Sequence, residues 1–211
     1  GLGDVYKRQV LRVRYSAVPV VGVVQGMALG GGCEIPLACD AIQAAAETYI
    51  GLVELGVGLI PAGGGTREMA CRAVEAVPEG YPVDSFGFLM RYFENIAMAK
   101  TSGSAVEARQ LGYLRPIDGI SMNRDRALCD ARTRVLAMAA QGYRPPAPRE
   151  NVKVAGETGI GELLILLSQY SGGGFISEYD EFLAGRLAYV ICGGNIDAEN
   201  RVSEQYLLDL E

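Results

Sequence analysis

The sequence predicts an α/β fold, a parallel β layer flanked by helices and followed by a helical C-terminal part. Three observations carry that prediction. Val18–Gln25 (VPVVGVVQ) is a continuous apolar, β-branched run, as expected of a strand buried on both faces, and Ala41–Ala46 (AIQAAA) reads as a second buried strand. Between them lie a small-residue turn, Met27–Gly32, and a short helical stretch, Cys33–Ala38, which gives strand–turn–helix–strand order. Beyond Gly159 the apolar positions recur with helical spacing.

In chain order, residues 1–9 (GLGDVYKRQ) share no texture with the rest of the chain and begin without Met. They are expected to be a non-native or cut start. Val10–Ser16 reads as the tail of a helix, ended ahead of Pro19. After the second strand, Tyr49–Val53 reads as a short extended piece and Gly63–Val74 as a helix opening on three glycines. Pro78–Phe88, rich in Pro, Gly and aromatics, reads as a loop, and Arg91–Ala99 as a helix. Ser104-Ala-Val-Glu107 has the spacing of a capping box, ahead of a helix that Gly112 closes. Leu114–Ile120 contains Pro116 and reads as a loop or edge strand. Arg124–Gln141 sets Ala127, Leu128, Ala131, Val135 and Met138 on one helical stripe. Arg144-Pro-Pro-Ala-Pro148 is a stiff spacer, so the predicted division is a core over 10–143 and an all-helical region over 149–211. That region holds helices at Gly159–Tyr170, Ser177–Cys192 and Val202–Glu211, with a hinge at Tyr170–Phe175. The last pattern is still running at Glu211, so this end too is expected to be cut.

Composition narrows the chemistry. At 211 residues and 49% hydrophobic content, the chain can bury a real core. A net charge of −6 argues against nucleic acid and anionic membrane surfaces as main partners. The absence of histidine removes Ser-His-Asp and Cys-His catalysis and HExxH metal sites, leaving carboxylates, Lys, Tyr or Cys to move protons near neutral pH. The five cysteines form no CxxC pair, so no metal site is expected and a reduced, cytoplasmic compartment is. No apolar run approaches the ~18 residues of a membrane span, and no signal-peptide core opens the chain.

The chemistry concentrates in residues 18–65. Gly30-Gly-Gly-Cys-Glu34 is a glycine turn opening a helix, whose first amides are unpaired and carry a partial positive charge. Without side chains, the glycines let a carbonyl oxygen approach those donors, which suits a developing enolate. A phosphate fits such donors as well, and a close helix–strand crossing would use the same glycines. Glu34 sits in the first helical turn among small or apolar neighbours, where desolvation raises a carboxyl pKa and makes it usable as acid or base. A plain capping carboxylate is the alternative. Glu54, in GLVELGVGLIP, has similar neighbours, with a solvent-facing loop carboxylate as its alternative. Two such groups could hold one water, one taking its proton and the other giving one. Ala62-Gly63-Gly64-Gly65 opens the next helix and supplies further amides. Gly56-Val-Gly58 lacks the third glycine and acidic follower of a dinucleotide site, and Cys33, with no basic partner, reads as a packed small residue.

QGMALGGGCEIPLACD followed by GLVELGVGLIPAGGG resembles the enoyl-CoA hydratase/isomerase (crotonase) family. The tail, from GGFISEYDEFLAGRL onward, is similar to its branch of long fatty-acid oxidation proteins fused to a 3-hydroxyacyl-CoA dehydrogenase. The resemblance covers about Tyr15 to Glu211 and implies a crotonase-like fold. It implies catalytic roles for Glu34 and Glu54, an oxyanion-hole amide at Gly31, and substrate or water binding by the Ala62 amide where the family usually has Gly. It implies hydration of a trans-2-enoyl-CoA to a 3-hydroxyacyl-CoA in fatty-acid β-oxidation, with double-bond isomerisation or a non-catalytic assembly module as alternatives. The partner implied is an acyl-CoA thioester, with homo-oligomers common. No cofactor is implied within this sequence, CoA being part of the substrate; NAD belongs only to the dehydrogenase part, which is not in it. The family's segment supplying the second oxyanion amide and helping to bind adenine precedes Tyr15 and is likewise not in this sequence. Residues 78–93 read as an insertion relative to the simplest members.

Overall fold

A computed structural model describes residues 2–78, 84–198 and 200–211. The elements in chain order are α1 (Leu2–Arg14), β1 (Val21–Leu29), α2 (Gly31–Leu37), β2 (Ala41–Gly51), α3 (Gly65–Glu75), α4 (Phe86–Ala97), α5 (Ala105–Leu111), β3 (Gly119–Ser121), α6 (Ala127–Ala140), β4 (Val152–Lys153), α7 (Gly156–Gly172), α8 (Glu178–Ile191), β5 (Arg201–Val202) and α9 (Glu204–Leu210). Single 3-10 turns lie at Glu54–Val57 and Arg124–Arg126. The chain divides into two compact units, Gly1–Val53 with Lys100–Ala147 and Glu54–Ala99 with Pro148–Glu211. Residues 54–99 thus pack with the C-terminal helices. Residues 2–9 continue into 10–14 as one helix, α1. Among the described residues no helix is long and apolar enough to cross a membrane.

The first unit is built on a parallel sheet of order β1-β2-β3. Ile42, Ala44, Ala45 and Ile50 of β2 are buried, as a central strand's side chains should be. β1 and β2 run on past their expected ends: Met27, Ala28 and Leu29 pair with Tyr49, Ile50 and Gly51. The expected Met27–Gly32 turn is therefore half strand, and Tyr49–Val53 is not a separate piece. The register shifts between Val24 and Gly26, and Thr48 fills the irregularity by donating its hydroxyl to Ala45 O at 2.7 Å. Asp118, buried just ahead of β3, accepts from the Ile42 amide at 2.8 Å and the Arg115 amide at 2.6 Å. These bonds carry the Pro116 loop onto β2 and give it three residues of strand. In α5, Ser104 accepts from the Glu107 amide, but the Glu107 carboxylate accepts from Gly103 rather than from Ser104. The predicted α6 stripe is only partly buried: Ala127 and Ala131 are inside, whereas Leu128 is 68% exposed.

The second unit is centred on α3, in which Gly65 through Ala73 are all buried, with α4, α8 and α9 packed around it. The expected Pro78–Phe88 loop lies partly outside the described residues, and its end is helical, because α4 starts at Phe86. Leu163 and Leu167 of α7 and Leu187 and Ile191 of α8 supply core, each such burial stabilising by about 1.5–3 kcal/mol. A capping box of Ser177 and Asp180 starts α8. The unit is not all-helical: β4 and β5 pair antiparallel, Val152 with Val202 and Lys153 with Arg201. Two-residue strands are too short to show a period in sequence.

Candidate active site

The predicted site residues fall in two places, Gly31 and Glu34 in the first unit, Glu54 and Ala62 in the second. At the first, Gly30 ends β1 with φ 55° and ψ −126°, a backbone state that a side chain strongly disfavours. Its amide donates to Gly51 O at 2.9 Å, drawing the bend onto the end of β2. The Cys33 and Glu34 amides both turn back to Gly30 O, at 2.7 and 3.1 Å. Among the described residues no backbone carbonyl is seen accepting from Gly31 or Gly32, as the first turn of a helix requires. Gly31 and Gly32 are exposed, so an incoming oxygen meets backbone there. A Cβ on Gly32 would touch nothing within 4 Å, and one on Gly31 would meet the Tyr6 hydroxyl, which donates to Gly31 O at 2.7 Å.

Glu34 follows in the same first turn and is 4% exposed, so its carboxylate combines the positive helix end with strong desolvation. Cys33 is fully buried and packed. Pro36 has no amide to continue the ladder, and the Ala38 and Cys39 amides bond three residues back, so α2 ends at Leu37. Gly22 lies beneath: a Cβ there would stand 3.1 Å from Cys39 Sγ and 3.5 Å from Pro36 Cα. The glycines therefore serve both the close helix–strand crossing and the exposed bend.

Glu54 opens the second place. It begins the 3-10 turn, which Leu59 closes by donating its amide to Glu54 O at 3.0 Å. The residue is half-buried and its Oε2 is shielded from solvent, while Val57 and Leu59 expose apolar side chains, 75% and 61% accessible. Ala62 is exposed just ahead of α3, whose N-cap Gly64 is left-handed with φ 107°. Thr66 donates its hydroxyl to Pro61 O at 3.4 Å, closing the turn that presents the Ala62 amide. Among the described residues no group of three or more His, Cys, Asp or Glu could hold a metal ion. Sequence reasoning missed the charged residues behind this turn: Arg67, Glu68 and Arg72 of α3 are all buried. Only the four-residue spacing of Glu68 and Arg72 hints at a pair.

The fold is shared with solved enoyl-CoA hydratase structures: one from Bacillus anthracis aligns with a TM-score of 0.52 at 22% identity, over 89% of this chain and 58% of that one. An enoyl-CoA hydratase/isomerase from Cupriavidus metallidurans aligns at TM-score 0.53 and 18% identity, over 89% of this chain and 57% of that one. At the sequence level, the family model "Enoyl-CoA hydratase/isomerase" matches residues 3–76, and the chain carries a crotonase-family domain. A Bacillus subtilis protein named "Probable 3-hydroxyacyl-CoA dehydrogenase" is 45% identical over 206 residues, 98% of this chain and 25% of that protein. The Idiomarina loihiensis fatty acid oxidation complex subunit alpha is 56% identical over 52 residues, 25% of this chain and 7% of its own length. The chain thus spans about a quarter or less of these two relatives.

Proposed function

We propose that the chain bears the hydratase chemistry of a larger fatty-acid oxidation protein, one that also carries a 3-hydroxyacyl-CoA dehydrogenase. The reaction is addition of water to a trans-2-enoyl-CoA: water oxygen bonds to C3, a proton goes to C2, and a 3-hydroxyacyl-CoA results. The thioester oxygen accepts from the Gly31 amide, which stabilises the enolate-like charge. Glu34 and Glu54 take the water's proton and return one to carbon. The Ala62 amide holds the water or substrate, and the apolar Val57 and Leu59 beside Glu54 offer an acyl chain surface to cover. The observation that carries this reading is Glu34, a buried carboxylate in the first turn of a helix opened by a side-chain-free bend. The similarity to proteins named for fatty-acid oxidation and 3-hydroxyacyl-CoA dehydrogenation supports the larger setting.

The test is turnover of trans-2-butenoyl-CoA, followed by loss of the enoyl-thioester absorbance. Glu34→Gln and Glu54→Gln are each expected to lower it by about 10²–10⁴-fold at unchanged melting temperature. Near-normal turnover in both variants overturns the reading. Offering 3-butenoyl-CoA and identifying the product separates hydration from isomerisation.

A further inference from the structure

Behind the Ala62 turn, α3 is buried all round, yet three of its nine buried residues are charged. Arg67 Nη1 meets Glu204 Oε2 of α9 at 2.6 Å, and Arg72 Nε meets Glu68 Oε1 at 3.0 Å. Arg149 enters from the stretch ahead of β4, with Nη1 2.9 Å from Glu68 Oε2 and Nε 2.6 Å from Glu75 Oε1. Main chain joins the same lattice: the Arg149 amide donates to Glu204 Oε1 at 3.1 Å, and the Glu204 amide donates to Arg149 O at 2.8 Å. Glu211 Oε1 accepts from the Arg67 amide at 2.7 Å, in the first turn of α3. Three guanidinium groups thus face three carboxylates, and a fourth carboxylate sits on the helix amide. Burial alone would weaken the Arg149 charge; the Glu68 and Glu75 carboxylates override it and hold the guanidinium above its ordinary value.

Stability does not account for this arrangement. Apolar side chains of similar volume hold a buried helix as well as, or better than, ion pairs do. Register is a different matter. The other buried residues of α3 are Gly65, Thr66, Met69, Ala70, Cys71 and Ala73, so apart from Met69 its buried surface is made of small side chains that do little to key one register. Charge contacts of 2.6–3.0 Å tolerate no shift, since one residue of axial slip moves a helix by about 1.5 Å. Thr66, bonded to Pro61 O, passes the position of α3 on to the turn that carries Ala62.

We propose that the lattice of Arg67, Glu68, Arg149 and Glu204 is a positioning device, fixing α3 in the one register that presents the Ala62 amide for catalysis. Its functional half rests on the hydratase reading. The residues act through the turn and touch no substrate. Glu204→Gln keeps the side-chain shape and the acceptor for the Arg149 amide but removes the charge facing Arg67. In the chain as it stands, kcat for trans-2-butenoyl-CoA is expected to fall about 10–100-fold, as a displacement of about 1 Å at a reacting centre does. KM and the circular-dichroism spectrum at the assay temperature are expected to stay unchanged and the melting temperature to fall, because buried Arg67 keeps its charge but loses the carboxylate 2.6 Å away, while hydrogen exchange of the Thr66, Arg67 and Glu68 amides quickens. Arg149→Lys, which keeps the charge but cannot span Glu68 and Glu75, is expected to move kcat and exchange the same way by less, and serves if the first variant fails to fold. Wild-type kcat, unchanged exchange, or a kcat loss that tracks lost helix content overturns the proposal. Absence of turnover in the unsubstituted chain would fail the hydratase reading for this polypeptide. The exchange rates of the two variants would then decide the register claim alone.

Discussion

Gly30 is the position at which the backbone makes its sharpest demand, and Gly30→Ala turns that demand into a number. At φ 55° and ψ −126° an L side chain crowds its own carbonyl, which costs about 1–3 kcal/mol. Alanine also stiffens the unfolded chain, returning about 0.4–1 kcal/mol, which against a mid-range strain of about 2 kcal/mol leaves a net loss of about 1–2 kcal/mol. At about 2–4 °C per kcal/mol for a chain of this length, melting falls by about 2–8 °C. Gly32→Ala is the matched control: it lies two residues on, its φ is not positive, and a Cβ there meets nothing within 4 Å. Helix propensity makes that substitution neutral or stabilising by up to about 1 kcal/mol. The chain contains no Trp, so the helical circular-dichroism band is the signal to follow. Equal melting of Gly30→Ala and wild type, or equal loss in both variants, would refute the account of the bend.

Two further outcomes concern buried groups. Asp118→Ala strands the Ile42 and Arg115 amides and leaves the Arg115 guanidinium only the Cys39 and Asp40 carbonyls, and should cost about 3 kcal/mol in denaturant melts, partly restored by Asp118→Asn; melting like wild type would mean the Pro116 loop is held by something else. At pH 8 a maleimide should label Cys129 alone in the native chain and all five thiols after unfolding, because Cys33, Cys39, Cys71 and Cys192 are buried. Burial pushes the Cys39 and Cys71 thiols up to about 11 and Cys192 to about 12. The stability this contributes is complete below the ordinary thiol value of 9.0 and is lost as pH rises through 11, so melting should decline over that window and decline less in Cys71→Ala.

The order of strands and helices around the glycine bend is legible because each apolar run there has one reading. Val21 to Val24 reads as strand and is one, although only Val24 of the four is buried rather than the whole run on both faces, and Glu34 sits in the first turn after Gly30-Gly-Gly32. Boundaries fail where a partner decides them. Met27–Leu29 runs straight into the glycines after it, and becomes strand because Tyr49–Gly51 offers it a ladder. Leu128 has the right spacing to be buried, yet α6 turns it outward, since Ala127 and Ala131 suffice to pack that helix. Residues 54–99 continue from the first strands without a break in texture, and only three-dimensional packing assigns them to the unit of the C-terminal helices.

The same asymmetry governs the chemistry. A carboxylate among apolar neighbours, such as Glu34, announces itself, because its surroundings in sequence are also its surroundings in the fold. The α3 lattice does the opposite. GTREMACRAVE reads as the charged face of an ordinary surface helix, and the partners that make those charges tolerable lie 81 and 137 residues away, at Arg149 and Glu204. Buried charge is most costly when unpaired, so a sequence that buries Arg67 and Glu68 must supply their counterparts somewhere, and distance along the chain conceals where. A helix whose charged residues outnumber what its apolar stripe can exclude is therefore a place to look for remote ion partners. Here those partners lie behind the turn that bears the Ala62 amide.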